Sequence, residues 1–102
     1  MPSEVVAIGR INIDINMRVK ALPKANEHVV CEGGQISFGG SAANFATQSA
    51  KLGIKTSLVS CLGDDSYGQL AMKEISKAGV DTSCLVVLDK QQTGIFLYAH
   101  DT

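Results

Sequence analysis

Two short stretches combine residue types that could grip a small polyhydroxylated molecule. The first is Gly39-Gly40-Ser41-Ala42-Ala43-Asn44-Phe45-Ala46, the end of a run that opens at Gly33-Gly34. Two successive glycines let main-chain N–H groups approach a ligand closely, because no Cβ intervenes. A helix expected to start near Ser41 leaves its first N–H groups without intrahelical partners, and Asn44 adds a side-chain amide. The second is Arg10-Ile11-Asn12-Ile13-Asp14-Ile15-Asn16, where apolar and polar residues alternate. If that segment is extended, Asn12, Asp14 and Asn16 share one face. A carboxylate only accepts hydrogen bonds, so Asp14 could receive two O–H donors from a vicinal diol. Each stretch also has a purely structural reading: a glycine turn that allows close helix–sheet packing, and an edge strand with a solvated face.

The elements around them are those of an α/β chain. Val5-Val6-Ala7-Ile8 is a short continuous apolar run, as expected of a strand buried on both faces of a parallel sheet. In such sheets ligands bind beyond the carboxyl ends of strands, where Asn12 and Asp14 fall. Leu22 to Glu27 reads as a loop, His28-Val29-Val30-Cys31-Glu32 as a strand, and Gly33 to Phe38 as extended chain before the turn. A helix from Ser41 to Leu52 has Ala42, Ala46 and Ala50 at i, i+4 spacing with Phe45 and Leu52 beside them, and Gly53 suits its end. Leu58-Val59-Ser60-Cys61-Leu62 is the next strand. The order strand, excursion, helix, strand implies a parallel crossover with an insert. That insert, about 12–38, is long enough to need strands of its own.

Asp64-Asp65-Ser66 precedes a helical stripe of Tyr67, Leu70, Ala71, Ile75 and Ala78, so Asp serves as an N-cap. The alternative is a Mg²⁺-holding pair, but no third oxygen ligand is suggested nearby. Lys73, Lys77 and Gly79 close that helix. Cys84 to Leu88 and Thr93 to Ala99 read as two strands joined by a turn at 89–92, hence a hairpin.

Composition narrows the function classes. The chain has 102 residues, net charge −1, 45% hydrophobic and 19% charged residues, ordinary for a soluble domain or part of one. That charge gives no footing for nucleic acid or anionic membrane, and three Phe, two Tyr and no Trp make a poor base-stacking platform. No secretory signal or membrane-length apolar run is legible, so a cytoplasmic protein is expected. Cys31, Cys61 and Cys84 form no C-x-x-C pair and read as reduced, mostly buried thiols. His28 and His100 lack partners at metal-ligand spacing. No Gly-Lys occurs for a phosphate loop, and the glycine spacing fails a dinucleotide fingerprint.

The glycine run, with Gly53 and Gly63 at matching spacings, resembles the first signature of the ribokinase-like (PfkB) carbohydrate kinases. Gly9 with Asn12-x-Asp14 resembles that family's opening sugar-contact segment. Gly63-Asp64-Asp65-Ser66-Tyr67-Gly68 resembles the turn before its next helix, and Thr93-Gly94 the start of its second flap segment. The resemblance implies the amino-terminal part of a doubly wound α/β sheet with a small β-strand lid, the lid segments being about 12–38 and 84–99. It implies phosphoryl transfer from ATP, with Mg²⁺ and an optional monovalent cation, to a hydroxymethyl group of a furanose-type sugar or a nucleoside.

Carried over residue by residue, Asn12, Asp14, Gly39, Gly40 and Asn44 would contact substrate hydroxyls, and Ile95 or Phe96 would pack over the substrate. The resemblance also implies a homodimer through the lid strands. Family members are much longer, and their catalytic base and nucleotide pocket lie in a carboxyl-terminal half. The 102 residues are therefore expected to be a substrate-binding fragment, inactive alone, with the base beyond Thr102. A non-catalytic carbohydrate-binding or dimerisation module is the competing reading.

Overall fold

The computed structural model describes residues 2–101. Its elements are β1 (Val5–Ile8), β2 (Asn12–Val19), β3 (Gly33–Gly39), α1 (Ser41–Lys51), β4 (Thr56–Gly63), α2 (Ser66–Lys77), β5 (Leu85–Leu88) and β6 (Ile95–Asp101). They build two three-stranded sheets, ordered β1-β4-β5 and β3-β2-β6. In the first, every pairing is parallel, which requires the crossover through α1 and α2. In the second, β2 runs antiparallel to β3 and parallel to β6. The radius of gyration, 15.9 Å, exceeds the roughly 13 Å of a compact chain of about 100 residues.

The core lies where α1 and α2 meet the strands. Ala42, Ala43 and Ala46 of α1 pack with Ala7 and Leu58, while Ala71 and Ile75 of α2 join Leu62 and Ile13. Small residues on α1 permit close approach of helix and sheet. Phe45 and Leu52, expected beside the alanine stripe, are instead 58% and 78% exposed, because both fall outside the arc of α1 that faces the sheet. The α2 helix starts as expected: Asp65 accepts a hydrogen bond from the Gly68 N–H at 2.8 Å, satisfying a first-turn donor.

Several expectations need correction. Cys84–Leu88 and Thr93–Ala99 do not form a hairpin. β5 pairs with β4 in the parallel sheet and β6 with β2 in the mixed one, so the segment 84–99, expected to form one lid unit, is divided between the two sheets. Residues 28–32 are not a strand, and β3 starts at Gly33. β1 is covered on one face only, since Ala7 is buried while Val6 and Ile8 are exposed. All three cysteines are exposed and free.

Candidate functional site

β2 brings the acid and amide to one face, as the alternation requires. Asn12 is 2% exposed, and its Nδ2 donates to Asp14 Oδ1 at 2.5 Å. The amide oxygen of Asn12 is buried without a partner. Pairing with β3 sets Gly39 opposite Asn12 and Ser37 opposite Asp14. A Cβ on Gly39 would overlap the Asp14 carboxylate, so the glycine is what lets the carboxylate lie over the neighbouring strand. Gly40 has φ 101°, and a Cβ there would overlap the carbonyl of Arg10. This residue turns the chain from β3 into α1 in a conformation that side chains resist.

α1 then begins with no side-chain cap. Its early donors are used in part by main chain: the Ala43 N–H reaches the Arg10 carbonyl at 3.3 Å and the Asn44 N–H the Gly40 carbonyl at 2.9 Å. From the other side, β6 aligns Phe96 with Asp14 and Tyr98 with Asn16. The two rings lie 6.4 Å apart, and the Arg10 guanidinium sits 5.6 Å from the Phe96 ring centre. Arg10, Asn12, Asp14, Gly40, Ser41, Asn44, Phe96 and Tyr98 line an open cavity of about 490 Å³, within the usual small-molecule range of about 300–1,000 Å³. A cavity of similar size, about 500 Å³, lies farther along the same sheet beside Arg18 and His100. The first is the candidate site because acid, amides, main chain and an aromatic wall converge there.

A second set of contacts holds β6 where it must be. Thr93, 2% exposed, donates its hydroxyl to Asp65 Oδ1 at 2.6 Å and its N–H to Asp65 Oδ2 at 2.9 Å. The same hydroxyl accepts the Gly63 N–H at 3.0 Å. The end of β4, the start of α2 and the entry to β6 thus share one knot. The Thr93 hydroxyl foremost, with the Thr93 and Gly68 N–H groups, holds the Asp65 carboxyl below its ordinary value, against the opposing effect of burial. The Asp64-Asp65 pair therefore includes a cap, as its position implied. Among the described residues, no group of three or more His, Cys, Asp or Glu side chains could hold a metal ion.

Five of the seven residues expected to bind substrate line the cavity: Asn12, Asp14, Gly40, Asn44 and Phe96. Gly39 lies beneath the Asp14 carboxylate. Ile95 pairs with Ile13, one residue out of phase with Phe96, so the pleat turns it to the opposite face. Arg10, Ser41 and Tyr98 were not foreseen as site residues. Tyr98 follows Phe96 at the two-residue period of a strand, a usable signal. Arg10 had none, since its place depends on a ring from a distant strand.

The profile of the pfkB family carbohydrate kinases matches residues 2–102. The chain belongs to the PfkB family. An ATP-dependent ribose-1-phosphate kinase of Halopiger xanaduensis is 35% identical over 91 residues, covering 89% of this chain and 31% of that protein. The ribokinase of Haemophilus influenzae is 32% identical over 95 residues, with coverages of 93% and 31%. The structure of Arabidopsis thaliana ribokinase complexed with ribose and ATP superposes with a TM-score of 0.92 at 30% identity, covering 99% of this chain and 33% of that one. The mixed α/β fold is thus that of the amino-terminal part of ribokinase structures, and the PfkB chain described here spans about a third of the length of these relatives.

Proposed function

We propose that this chain is the acceptor-binding and lid portion of a PfkB kinase that phosphorylates a hydroxymethyl group of a furanose-type sugar or nucleoside, with ATP as donor. The observation that carries the reading is the convergence of Asn12, Asp14, Gly40, Asn44 and Phe96 on one cavity. Asp14 and Asn12 bond sugar hydroxyls, and Asn44 holds a further hydroxyl. Phe96 covers an apolar side of the ring and helps exclude water from the reacting group. The β3-β2-β6 sheet is the lid.

When bound, Mg²⁺-ATP supplies the phosphoryl group and neutralises its charge. The chain spans only about a third of its relatives' length, and no group of three or more His, Cys, Asp or Glu side chains that could hold a metal ion occurs among the described residues. The nucleotide pocket, any monovalent-cation site and the catalytic base are therefore assigned to parts of the protein outside them, and the 102 residues alone are inactive.

A homodimer through the lid is part of the same reading. Ile15 lies between Ile36 and Leu97 in register, on the face opposite Asp14, and Ile36 and Leu97 are 52% and 63% exposed. Such a row suits a partner's apolar surface. No helix among the described residues is long and apolar enough to cross a membrane. Three free, exposed thiols suit the reducing cytoplasm.

The test is to express the complete reading frame and assay it with ATP against ribose, fructose, adenosine, ribose 1-phosphate and gluconate. Transfer to at least one acceptor is expected, and no turnover across such a panel would reject the kinase reading. Clear turnover by the 102 residues alone would reject their assignment as a fragment.

A further inference from the structure

We propose that Arg10 makes the cavity selective for a sugar bearing an anionic group, a phosphate or a carboxylate, at a position other than its acceptor hydroxymethyl. The inference rests on reading the cavity as the acceptor site. The cavity contains one carboxylate, Asp14, and one cationic side chain, Arg10, and the two have separate partners. Asp14 is held by the Asn12 amide and lies on Gly39, whereas Arg10 rests 5.6 Å from the centre of the Phe96 ring. Cation–ring attraction takes up none of the guanidinium's five N–H donors in hydrogen bonds. Those donors keep their fork geometry, which matches phosphate and carboxylate oxygens in pairs.

The site around Arg10 reinforces this. Its carbonyl accepts from the Ala43 N–H, which ties its backbone to the start of α1. That helix start has no side-chain cap, and its partial positive charge favours an anion on the same side of the cavity. The other polar groups, Asp14, Asn12 and Asn44, are suited to neutral hydroxyls. A neutral sugar leaves the cation without a matched partner; a sugar with one anionic end uses both parts of the cavity. Arg10 is in this sense a specificity-determining residue, with no part in the chemical step.

The experiment compares kcat/KM of the intact protein, with ATP, for ribose, ribose 1-phosphate and gluconate, alongside calorimetric binding of each. At least one anionic sugar is expected to exceed ribose by about tenfold or more, the scale of one hydrogen bond to a charged group. Which anionic sugar leads separates phosphate from carboxylate. Arg10→Ala and Arg10→Gln should each bring the anionic-to-neutral ratio close to one, and Arg10→Lys should restore part of it. Arg10→Gln retains a polar side chain should the alanine variant fold poorly. Ribose favoured by the unaltered protein, or a ratio unmoved by Arg10→Gln, would overturn the proposal and leave the kinase reading intact. Failure of every sugar to bind or react would remove the acceptor-site reading, and this proposal with it.

Discussion

Asn12 and Asp14, two residues apart on β2, are joined by a 2.5 Å hydrogen bond from the amide Nδ2 to the carboxylate Oδ1, and the amide's own oxygen is buried with no partner. The bond fixes the amide's orientation and leaves that oxygen against the Gly40 turn, where an added Cβ would lie 3.1 Å from it. A buried group left without a partner costs about 1–3 kcal/mol. In the proposed acceptor site, a sugar hydroxyl that reached this oxygen would recover part of that free energy.

The first prediction concerns Asp14. In the intact protein, Asp14→Asn should weaken sugar binding by about 10- to 150-fold, the equivalent of losing one charge-assisted hydrogen bond. Affinity for ATP should change little. Calorimetric titration with each ligand checks this, and equal losses for sugar and nucleotide would remove Asp14 from the acceptor site.

Gly40 and Gly53 provide a matched comparison. Both have positive φ, 101° and 89°, so alanine at either should lose about 1 kcal/mol or more of stability. A Cβ at Gly53 meets nothing within 4 Å, whereas at Gly40 it overlaps the Arg10 carbonyl. Gly40→Ala should therefore lower the denaturant midpoint further and also weaken sugar binding. Indistinguishable midpoints and affinities would show that the turn tolerates a side chain.

Thr93→Val keeps the shape of the side chain and removes its hydroxyl. The buried Gly63 N–H then loses its acceptor and Asp65 loses a donor, a change of about 1–3 kcal/mol in unfolding free energy. Thr93→Ser retains the hydroxyl and should recover most of that loss. Because this knot leads into β6, the valine variant should also raise KM for the sugar through displacement of Phe96. A KM that stays constant while stability falls would limit Thr93 to a folding role.

The same knot predicts a dependence on pH. Asp65 titrates below its ordinary value in the folded chain, so the folded state binds protons less readily there than the unfolded state does. Its stabilising contribution is complete above the ordinary aspartate pKa of about 3.9. It is lost as pH falls through the depressed folded value. The difference in unfolding free energy between the unaltered protein and Asp65→Asn should be flat near neutrality and shrink in acid. A difference independent of pH down to complete titration would show that the carboxylate's charge contributes nothing.

The sequence by itself determined the order of strand, insert, helix and strand, the glycine turn, the aspartate cap and the shared face of Asn12 and Asp14. All of these depend on periodicity, capping or backbone freedom within a few residues. Tertiary structure decided what depends on pairing between distant strands. Two adjacent apolar strands with a turn between them look locally like a hairpin, yet β5 and β6 enter different sheets, because each finds its hydrogen-bond partner elsewhere in the chain. Register then decided that Phe96 and not Ile95 faces Asp14, since a strand's pleat reverses its faces with every residue. Arg10 entered the site for the same reason: its ring partner lies 86 positions away in sequence and becomes its neighbour only once β6 is laid against β2.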